Sequence, residues 1–426
     1  MIWSGSSMFP ERHYQDFKVQ QTSEGPILTF MVGQSDVPNA PLPSGGAVIL
    51  DASYQMRSNF SVRGGSFNLH EFSIINSGAS AILVGKFDFM AEAHFEDSQT
   101  NWSGAVLENF FQELQLPSEA VAFQWKAFEH LSLLESTVPR PNDSSWDFMH
   151  MNSVDKNEDG NFLVSGRHAD TIYLVSGDNG TVLWRLGGVI SDFELRDFTF
   201  SRQHDARWRE QNETHVILSF FDNAAYDNDN SVSTAEASSL MVVALHKIER
   251  IATVVERHPR PGGGHTTSRG NMQFLENGNR LGCWSENARL SEHTRSGDIV
   301  FEAQFASDRF STYRGYKFHF KASPASTPAI KAFASSTQYE GVTTVVYVSW
   351  NGATEVDQWR LYSAENGEES AILRGQEQKT GFETSFVVRG FHPFVFVEAV
   401  SSDGRSLGNS SLESTELPLG WHGRGF

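Results

Sequence analysis

The 426-residue sequence contains one cysteine, Cys283, and fewer basic than acidic residues. A single cysteine excludes an internal disulfide framework, and its strand-like surroundings predict a buried structural thiol. No run of about 18 apolar residues is present, so the sequence predicts no membrane span. The 33 basic and 52 acidic residues give a formal net charge of -19. That balance argues against nucleic acid or an anionic membrane as partner, because both require a positive patch.

Glycine and phenylalanine are abundant, with 35 and 33 residues, and 39% of the chain is hydrophobic. This composition suits many short strands joined by tight turns. A unit recurs in which histidine stands just before a strand-like run, at His70, His150 and His204. The turn at 158–161 and the similar turn at 276–279 each precede another apolar run. Self-similarity at a period of roughly 40 to 80 residues predicts a toroidal array of β-sheets.

The resulting fold prediction is all-β, with a β-propeller of about six blades followed by a fibronectin type III-like β-sandwich. Runs that begin at Gly46, Ala120, Gly180 and Gly297 are predicted to form outer strands of the blades. Four parts are predicted: an N-terminal segment (1–45), the propeller (46–322), the sandwich (326–415) and a tail docking on the propeller (416–426). The N-terminal segment is predicted to contain one strand, Ile27–Val32, and a Pro-rich link at 38–43.

Residues at one position of successive blades project toward the same axis, so His70, His150 and His204 are predicted to converge on a central pocket. For any one of them alone, bracing of a blade by hydrogen bonds is the simpler interpretation. Three histidines at the same position of successive repeats favour a function in the central pocket. Arg167, at the end of a strand-like run, could bind an oxyanion with its bidentate fork or form a surface ion pair.

Further residues are predicted to contact a substrate. Asn271 and Gln273 occupy the place where a fourth histidine would complete the ring. Arg314 could neutralise a substrate oxygen or pair with an acid, and Tyr313 precedes it. The aromatic residues that end strands are equally typical of a core: Trp184, Phe221 and Trp284. No metal site is predicted, because the sequence lacks the close histidine spacings that zinc sites usually show.

Residues 146–188 (WDFMHMNSVDKNEDGNFLVSGRHADTIYLVSGDNGTVLWRLGG) resemble the fungal arylsulfotransferase-like family. The shorter segments LHEF (69–72), QHDAR (203–207), FFDN (220–223), GNMQFLENGNRLGCW (270–284), SE (291–292) and YRGYKF (313–318) are similar to it as well. The resemblance covers roughly residues 45–322 and implies a propeller with an axial pocket.

The resemblance implies two reactions. Fungal hetero-Diels–Alderases of this kind join an ortho-quinone methide to a macrocyclic sesquiterpene such as humulene, in the biosynthesis of tropolone sesquiterpenoids and related meroterpenoids. That reaction needs no cofactor, and His150, His204 and Arg167 would polarise the heterodiene or supply a proton. Arylsulfotransferases independent of PAPS instead use a histidine nucleophile. A non-catalytic extracellular binding propeller is the third alternative.

The sequence contains six N-x-S/T sequons, more than chance predicts: Asn59, Asn101, Asn142, Asn179, Asn212 and Asn409. N-glycans at these positions, and a secretory or extracellular location, are therefore expected. The start of the chain shows no apolar leader, so a cytoplasmic location is the alternative.

Overall fold

The computed structural model describes residues 3–5, 7–10, 12–34, 42, 44–95, 100–226, 229–307, 309–337, 341–364 and 371–418. Most of the Pro-rich link and the end of the predicted tail, residues 419–426, lie outside them. The protein is all-β, with 54% strand and 4% helix. No helix in the described residues is long and apolar enough to cross a membrane. The chain forms two compact units, residues 11–49 with 58–318 and residues 1–10 with 50–57 and 319–426.

In the described residues, the larger unit is built mainly from five successive sheets, whose strand pairs are antiparallel apart from one short parallel pair in the fourth sheet. The first sheet has the order β1 (Tyr14–Thr22), β2 (Gly25–Val32), β3 (Gly46–Leu50), β4 (Met56–Phe60). The second has the order β5 (Ser66–Ile75), β6 (Ser80–Phe95), β7 (Thr100–Gln115), β8 (Ala120–Lys126). The third consists of β9 (Met151–Lys156), β10 (Phe162–Gly166), β11 (Thr171–Val175) and β12 (Val182–Gly187).

The next seven strands form the fourth sheet and a two-stranded ribbon: β13 (Glu194–Leu195), β14 (His204–Gln211), β15 (His215–Asp222), β16 (Ala225–Tyr226), β17 (Asp229–Ser233), β18 (Ser239–His246) and β19 (Ile251–Pro259). The fourth sheet has the order β13-β19-β18-β15-β14, and β16 and β17 form the ribbon. The fifth sheet consists of β20 (Asn271–Phe274), β21 (Arg280–Trp284), β22 (Arg289–His293) and β23 (Ile299–Gln304). Short 3-10 turns occur at Asn76–Gly78, Ala127–Glu129, Leu133–Glu135, Arg167–Ala169 and Ser285–Asn287.

The strands β1, β5, β9, β14 and β20 contact one another in chain order, so one edge strand from each sheet lies next to its neighbour. Strands β8, β12 and β23 lie at the opposite edges of their sheets, as predicted for outer strands, whereas β3 is the third strand of its sheet. Gly160 and Gly278 both have φ 84° in the turns of the repeated motif. That left-handed conformation favours glycine and explains why the motif contains it.

Apolar clusters lie between consecutive sheets of the larger unit. Trp184 belongs to the cluster between the third and fourth sheets, and Phe221 and Trp284 to the one between the fourth and fifth. The Trp284 indole donates a 2.7 Å hydrogen bond to Ser291 Oγ, as a buried indole N–H requires. These three aromatic side chains therefore hold sheets together.

The N-terminal segment differs from the prediction of one strand, because both β1 and β2 precede β3. Strand β1 was missed because its buried positions include Asp16 and Lys18, which form an ion pair with a 2.7 Å N–O distance. Buried charges break the apolar alternation by which a strand is recognised.

The smaller unit contains two antiparallel sheets that share one apolar core. One has the order β24 (Ala329–Thr337), β25 (Gly341–Ser349), β28 (Glu383–Arg389). The other has the order β27 (Ile372–Gln378), β26 (Gln358–Ala364), β29 (Phe394–Val400), β30 (Ser406–Asn409), with β31 (Glu413–Ser414) paired to β29. Trp350, Trp359 and Phe386 are buried in this core.

Asn59, Asn142, Asn179, Asn212 and Asn409 are exposed. The side chain of Asn101 lies outside the described part of the chain, and glycosylation stays a prediction.

Candidate functional site

Four histidines come together where the edge strands of the second, third and fourth sheets meet. His70 lies on β5, His150 directly precedes β9, and His204 is the first residue of β14. His168 joins them from the 3-10 turn between β10 and β11. The ring centroid of His150 is 4.8 Å from that of His70 and 4.6 Å from that of His168. The predicted convergence of His70 and His150 is therefore present, and His168 is an addition to it.

The Asp147 carboxylate holds His150 at two points. Its Oδ2 accepts a hydrogen bond from His150 Nδ1 at 2.6 Å, and its Oδ1 accepts one from the His150 backbone N–H at 3.0 Å. Asn109 Nδ2 donates to the same Oδ1 at 2.8 Å. With a proton on Nδ1, the unshared electron pair of His150 lies on Nε2.

Both members of this pair are partly accessible, with 26% of the His150 side chain and 22% of the Asp147 side chain exposed. Burial opposes ionisation of Asp147, but the charge and hydrogen bond of His150 outweigh it and hold the Asp147 pKa below its usual range. His150 has φ 51°, a left-handed conformation that non-glycine residues rarely adopt. Such backbone strain often accompanies functional sites.

His168 is neutral, with its proton on Nδ1. Nδ1 donates to the Asp147 carbonyl at 2.6 Å, while Nε2 accepts from Arg167 Nη1 at 2.8 Å. Burial, and next the charge of His150, lower the pKa of His168 to about 3. The Arg167 side chain is thereby anchored within the cluster, and Nη2 donates to the Thr267 carbonyl at 3.4 Å.

His204 is buried, and both of its ring nitrogens are engaged. Nδ1 donates to Asn223 Oδ1 at 2.7 Å and to the Arg202 carbonyl at 2.9 Å, and Nε2 accepts from the Arg269 N–H at 3.2 Å. Burial first, then the charge of Arg167, lower the pKa of His204 far below its usual value. These contacts fit the bracing interpretation of His204.

His70 is half-buried, and its Nδ1 donates to Asn68 Oδ1. Burial, followed by the nearness of the His150 and His204 imidazoles, lowers its pKa far below the usual value. The Tyr313 ring lies edge-on to the His70 ring at 5.6 Å between centroids, and the Tyr313 hydroxyl donates to the His70 carbonyl at 3.1 Å. Tyr313 thus supports one wall of the cluster.

Asn271 and Gln273 hold protein backbone. Asn271 bonds both to the carbonyl and to the N–H of Gly315, at 3.1 and 2.8 Å. Gln273 bonds in the same way to Lys317, at 3.0 and 2.8 Å. The two side chains fix an extended segment, residues 315–317, along β20.

Arg314 is enclosed completely, with 0% of its side chain exposed. Its guanidinium lies 3.3 Å from Asp16, 3.4 Å from Glu71 and 3.6 Å from Asp205. Of the two roles predicted for Arg314, pairing with acids is the one that this geometry fits.

Asp147, His150 and His168 each offer a ligand atom, and these atoms lie within 4.8 Å of one another, as a metal ion would require. However, Arg167 donates to His168 Nε2, and Asp147 occupies His150 Nδ1. A cation would have to displace a guanidinium, so the donor set fits a hydrogen-bonded Asp–His pair better than a metal centre.

Sequence reasoning missed Asp147 and His168. The signals that could have identified them are the Asp-x-x-His spacing of Asp147 and His150 and the adjacency of Arg167 and His168.

Three comparisons with known proteins bear on the family. No curated protein matches the chain. Among solved structures, a Bacteroides caccae protein of unknown function is 12% identical, with 72% of this chain and 86% of that chain covered and a TM-score of 0.41. A catalytically inactive variant of virginiamycin B lyase from Staphylococcus aureus, with quinupristin, is 8% identical, with coverage of 80% and 94% and a TM-score of 0.36. Residues 43–306 match the arylsulfotransferase (ASST) family. The match spans more than half of the sequence, and the chain belongs to the arylsulfotransferase family.

Proposed function

We propose that the chain is an arylsulfotransferase-type enzyme that moves a sulfuryl group between two phenols, with His150 as the nucleophile. The observation that carries the proposal is the 2.6 Å hydrogen bond from His150 Nδ1 to Asp147. It leaves Nε2 with the unshared pair and places a carboxylate where positive charge develops when Nε2 attacks. Family membership supports the same reaction.

In the proposed reaction, His150 Nε2 attacks the sulfur of an aryl sulfate. The Nε2–S bond forms, the S–O bond to the aryl group breaks, and the departing phenoxide takes a proton from solvent. A second phenol then attacks the sulfur, its O–S bond forms as the Nε2–S bond breaks, and its proton is released. No other reactant is consumed. Asp147 acts as a positioning residue, and the Arg167 guanidinium supplies positive charge beside the cluster.

The test is incubation with an aryl sulfate such as 4-nitrophenyl sulfate and a phenol acceptor. Release of nitrophenol should accompany formation of the new aryl sulfate, and mass spectrometry under alkaline conditions should find one added SO₃ on the peptide that contains His150. His150→Ala should lose both signals, whereas the exposed His319→Ala should keep them. The proposal is contradicted if the wild-type protein gains no SO₃ on this peptide and forms no new aryl sulfate.

A second candidate is the hetero-Diels–Alder reaction of an ortho-quinone methide with a sesquiterpene such as humulene. The neutral state of His70, His168 and His204 supports it, because these three imidazoles offer no positive charge to an anionic aryl sulfate. Here a protonated His150 would donate from Nε2 and help to expel water from the precursor. Incubation of a tropolone quinone-methide precursor with humulene tests this directly.

We also propose that the five sheets of the larger unit are the blades of a β-propeller, which the succession of four- and five-stranded sheets supports. The two-sheet core of the smaller unit supports a fibronectin type III-like sandwich.

A further inference from the structure

A cavity whose lining includes none of the four clustered histidines lies on the larger unit. It is an open cavity of about 450 Å³. Strand β14 connects the two places, since His204 begins the strand while Arg207 and Arg209 line the cavity.

A buried ionic layer lies next to the cavity. Arg207 contacts both Glu71 and Asp205 at 2.6 Å, and Lys18 contacts Asp16 at 2.7 Å. Together with Arg314, these groups make three cations and three carboxylates. The positive and negative charges within the layer are therefore equal in number.

Arg209 differs from these cations. In the described part of the chain its hydrogen bonds go to neutral acceptors, with Nε donating to Ser219 Oγ at 2.6 Å and Nη2 to the Met272 carbonyl at 3.3 Å. A guanidinium has five N–H donors, so others remain for a ligand. Burial lowers the pKa of Arg209 to about 10, so it stays a cation at neutral pH.

The cavity wall combines this charge with aromatic surface. The Arg209 guanidinium lies 4.1 Å from the centroid of the Phe274 ring, which keeps it rigid. Phe318 is 44% exposed and lies 5.6 Å from Tyr316 between ring centroids. Of the charged residues in the lining, three are cations (Lys18, Arg207 and Arg209) and one is an acid, Asp205. Lys18 and Arg207 are paired within the buried ionic layer, so Arg209 is the lining cation whose described hydrogen bonds go to neutral groups.

We infer that this cavity binds a small organic monoanion that consists of an oxyanion group attached to an aromatic ring, with Arg209 on the oxyanion and Phe318 against the ring. The fork of an arginine matches two oxygens of a carboxylate or sulfate, and the aromatic side chains cover the apolar body. The site is separate from the proposed reaction at His150 and does not depend on it.

Isothermal titration of the full chain with benzoate tests the inference, with benzamide as the neutral analogue of the same shape and acetate as the anion without a ring. Benzoate should bind more tightly than either. Arg209→Gln should weaken benzoate binding about tenfold to hundredfold, since a charged hydrogen bond is lost. The exposed Arg196→Gln should leave it unchanged, and so should His150→Ala, which separates this site from the proposed catalytic one.

Phe318→Ala provides a second test that leaves every charged group in place. It should weaken benzoate binding and leave the weaker acetate binding as it was. The inference is overturned if benzoate and benzamide bind equally, or if benzoate binds folded Arg209→Gln and Phe318→Ala as it binds the wild-type protein.

Discussion

Asn271 and Gly315 are joined through both hydrogen-bonding groups of the amide side chain, Nδ2 to the Gly315 carbonyl and Oδ1 to the Gly315 N–H. Asn271 is fully buried, with 0% of it exposed. Asn271→Ala removes both bonds and leaves backbone groups unpaired, so we expect a loss of about 2 to 4 kcal/mol in unfolding free energy. Unfolding by denaturant measures this change in free energy.

Gln273 makes the matching pair of bonds to Lys317 in an exposed setting. Gln273→Ala should therefore cost less stability than Asn271→Ala, because water can replace the lost bonds. A large loss of substrate affinity with unchanged stability in either variant would restore the substrate-contact role predicted from the sequence.

Asp147→Asn tests the positioning of His150. Because two N–H groups donate to Oδ1 of residue 147, the N–H₂ group of the amide would take the place of Oδ2 and donate to His150 Nδ1. This favours the tautomer of His150 with its proton on Nε2. We expect kcat for sulfuryl transfer to fall about 10² to 10⁴-fold, as for a misoriented catalytic imidazole. The melting temperature should change little, and the exposed Asp143→Asn should retain wild-type kcat. An unchanged kcat in Asp147→Asn would contradict the role of this pair.

The repeated turn motif made much of the fold predictable. It indicates strand, tight turn and strand, and Gly160 and Gly278 occupy equivalent turns with the same φ. The convergence of His70 and His150 was also predictable, because His70 lies within one edge strand, β5, and His150 directly precedes another, β9. Strand β1 was not, since Lys18 and Asp16 are buried by pairing with residues distant in sequence, Glu71 and Arg314.

Which residues form the site was harder to predict than where the site lies. His168 belongs to a turn after β10, and sequence spacing alone does not show that this turn folds back onto His150. Asn271 and Gln273 were predicted to contact substrate because they replace histidine in the repeat. The partner that they bind, residues 315–317, comes about 40 residues later, and the sequence does not show that this segment lies along β20.

The buried ionic layer should be sensitive to loss of one charge. Glu71 is fully enclosed and contacts Arg207 at 2.6 Å and Arg314 at 3.4 Å. Glu71→Gln leaves cations uncompensated in the interior, so we expect a loss of about 3 to 5 kcal/mol in unfolding free energy. As the control, Glu119→Gln removes a surface pair with Arg63, and we expect at most about 1 kcal/mol. Equal effects in the two variants would show that the layer contributes no more than a surface pair.

Asp222 predicts a specific dependence of stability on pH. Its Oδ1 accepts from the N–H groups of Ser201 and Ala224, at 3.1 and 2.9 Å, whereas Oδ2 is buried and has no hydrogen-bond partner in the described part of the chain. Burial raises the pKa of Asp222 to about 7, from 3.8. The folded state thus binds a proton that the unfolded state has already lost between these values.

Stability should accordingly fall as the pH rises from about 4 to 7, by up to about 4 kcal/mol from this group. Asp222→Asn keeps an acceptor for both N–H groups and removes the titration. The variant should gain stability relative to the wild-type protein at pH 8 and little at pH 4, whereas the exposed Asp178→Asn should show no such trend. Melting temperatures across this range measure the difference. If the difference between Asp222→Asn and the wild-type protein is the same at pH 4 and pH 8, Asp222 is not the group that titrates.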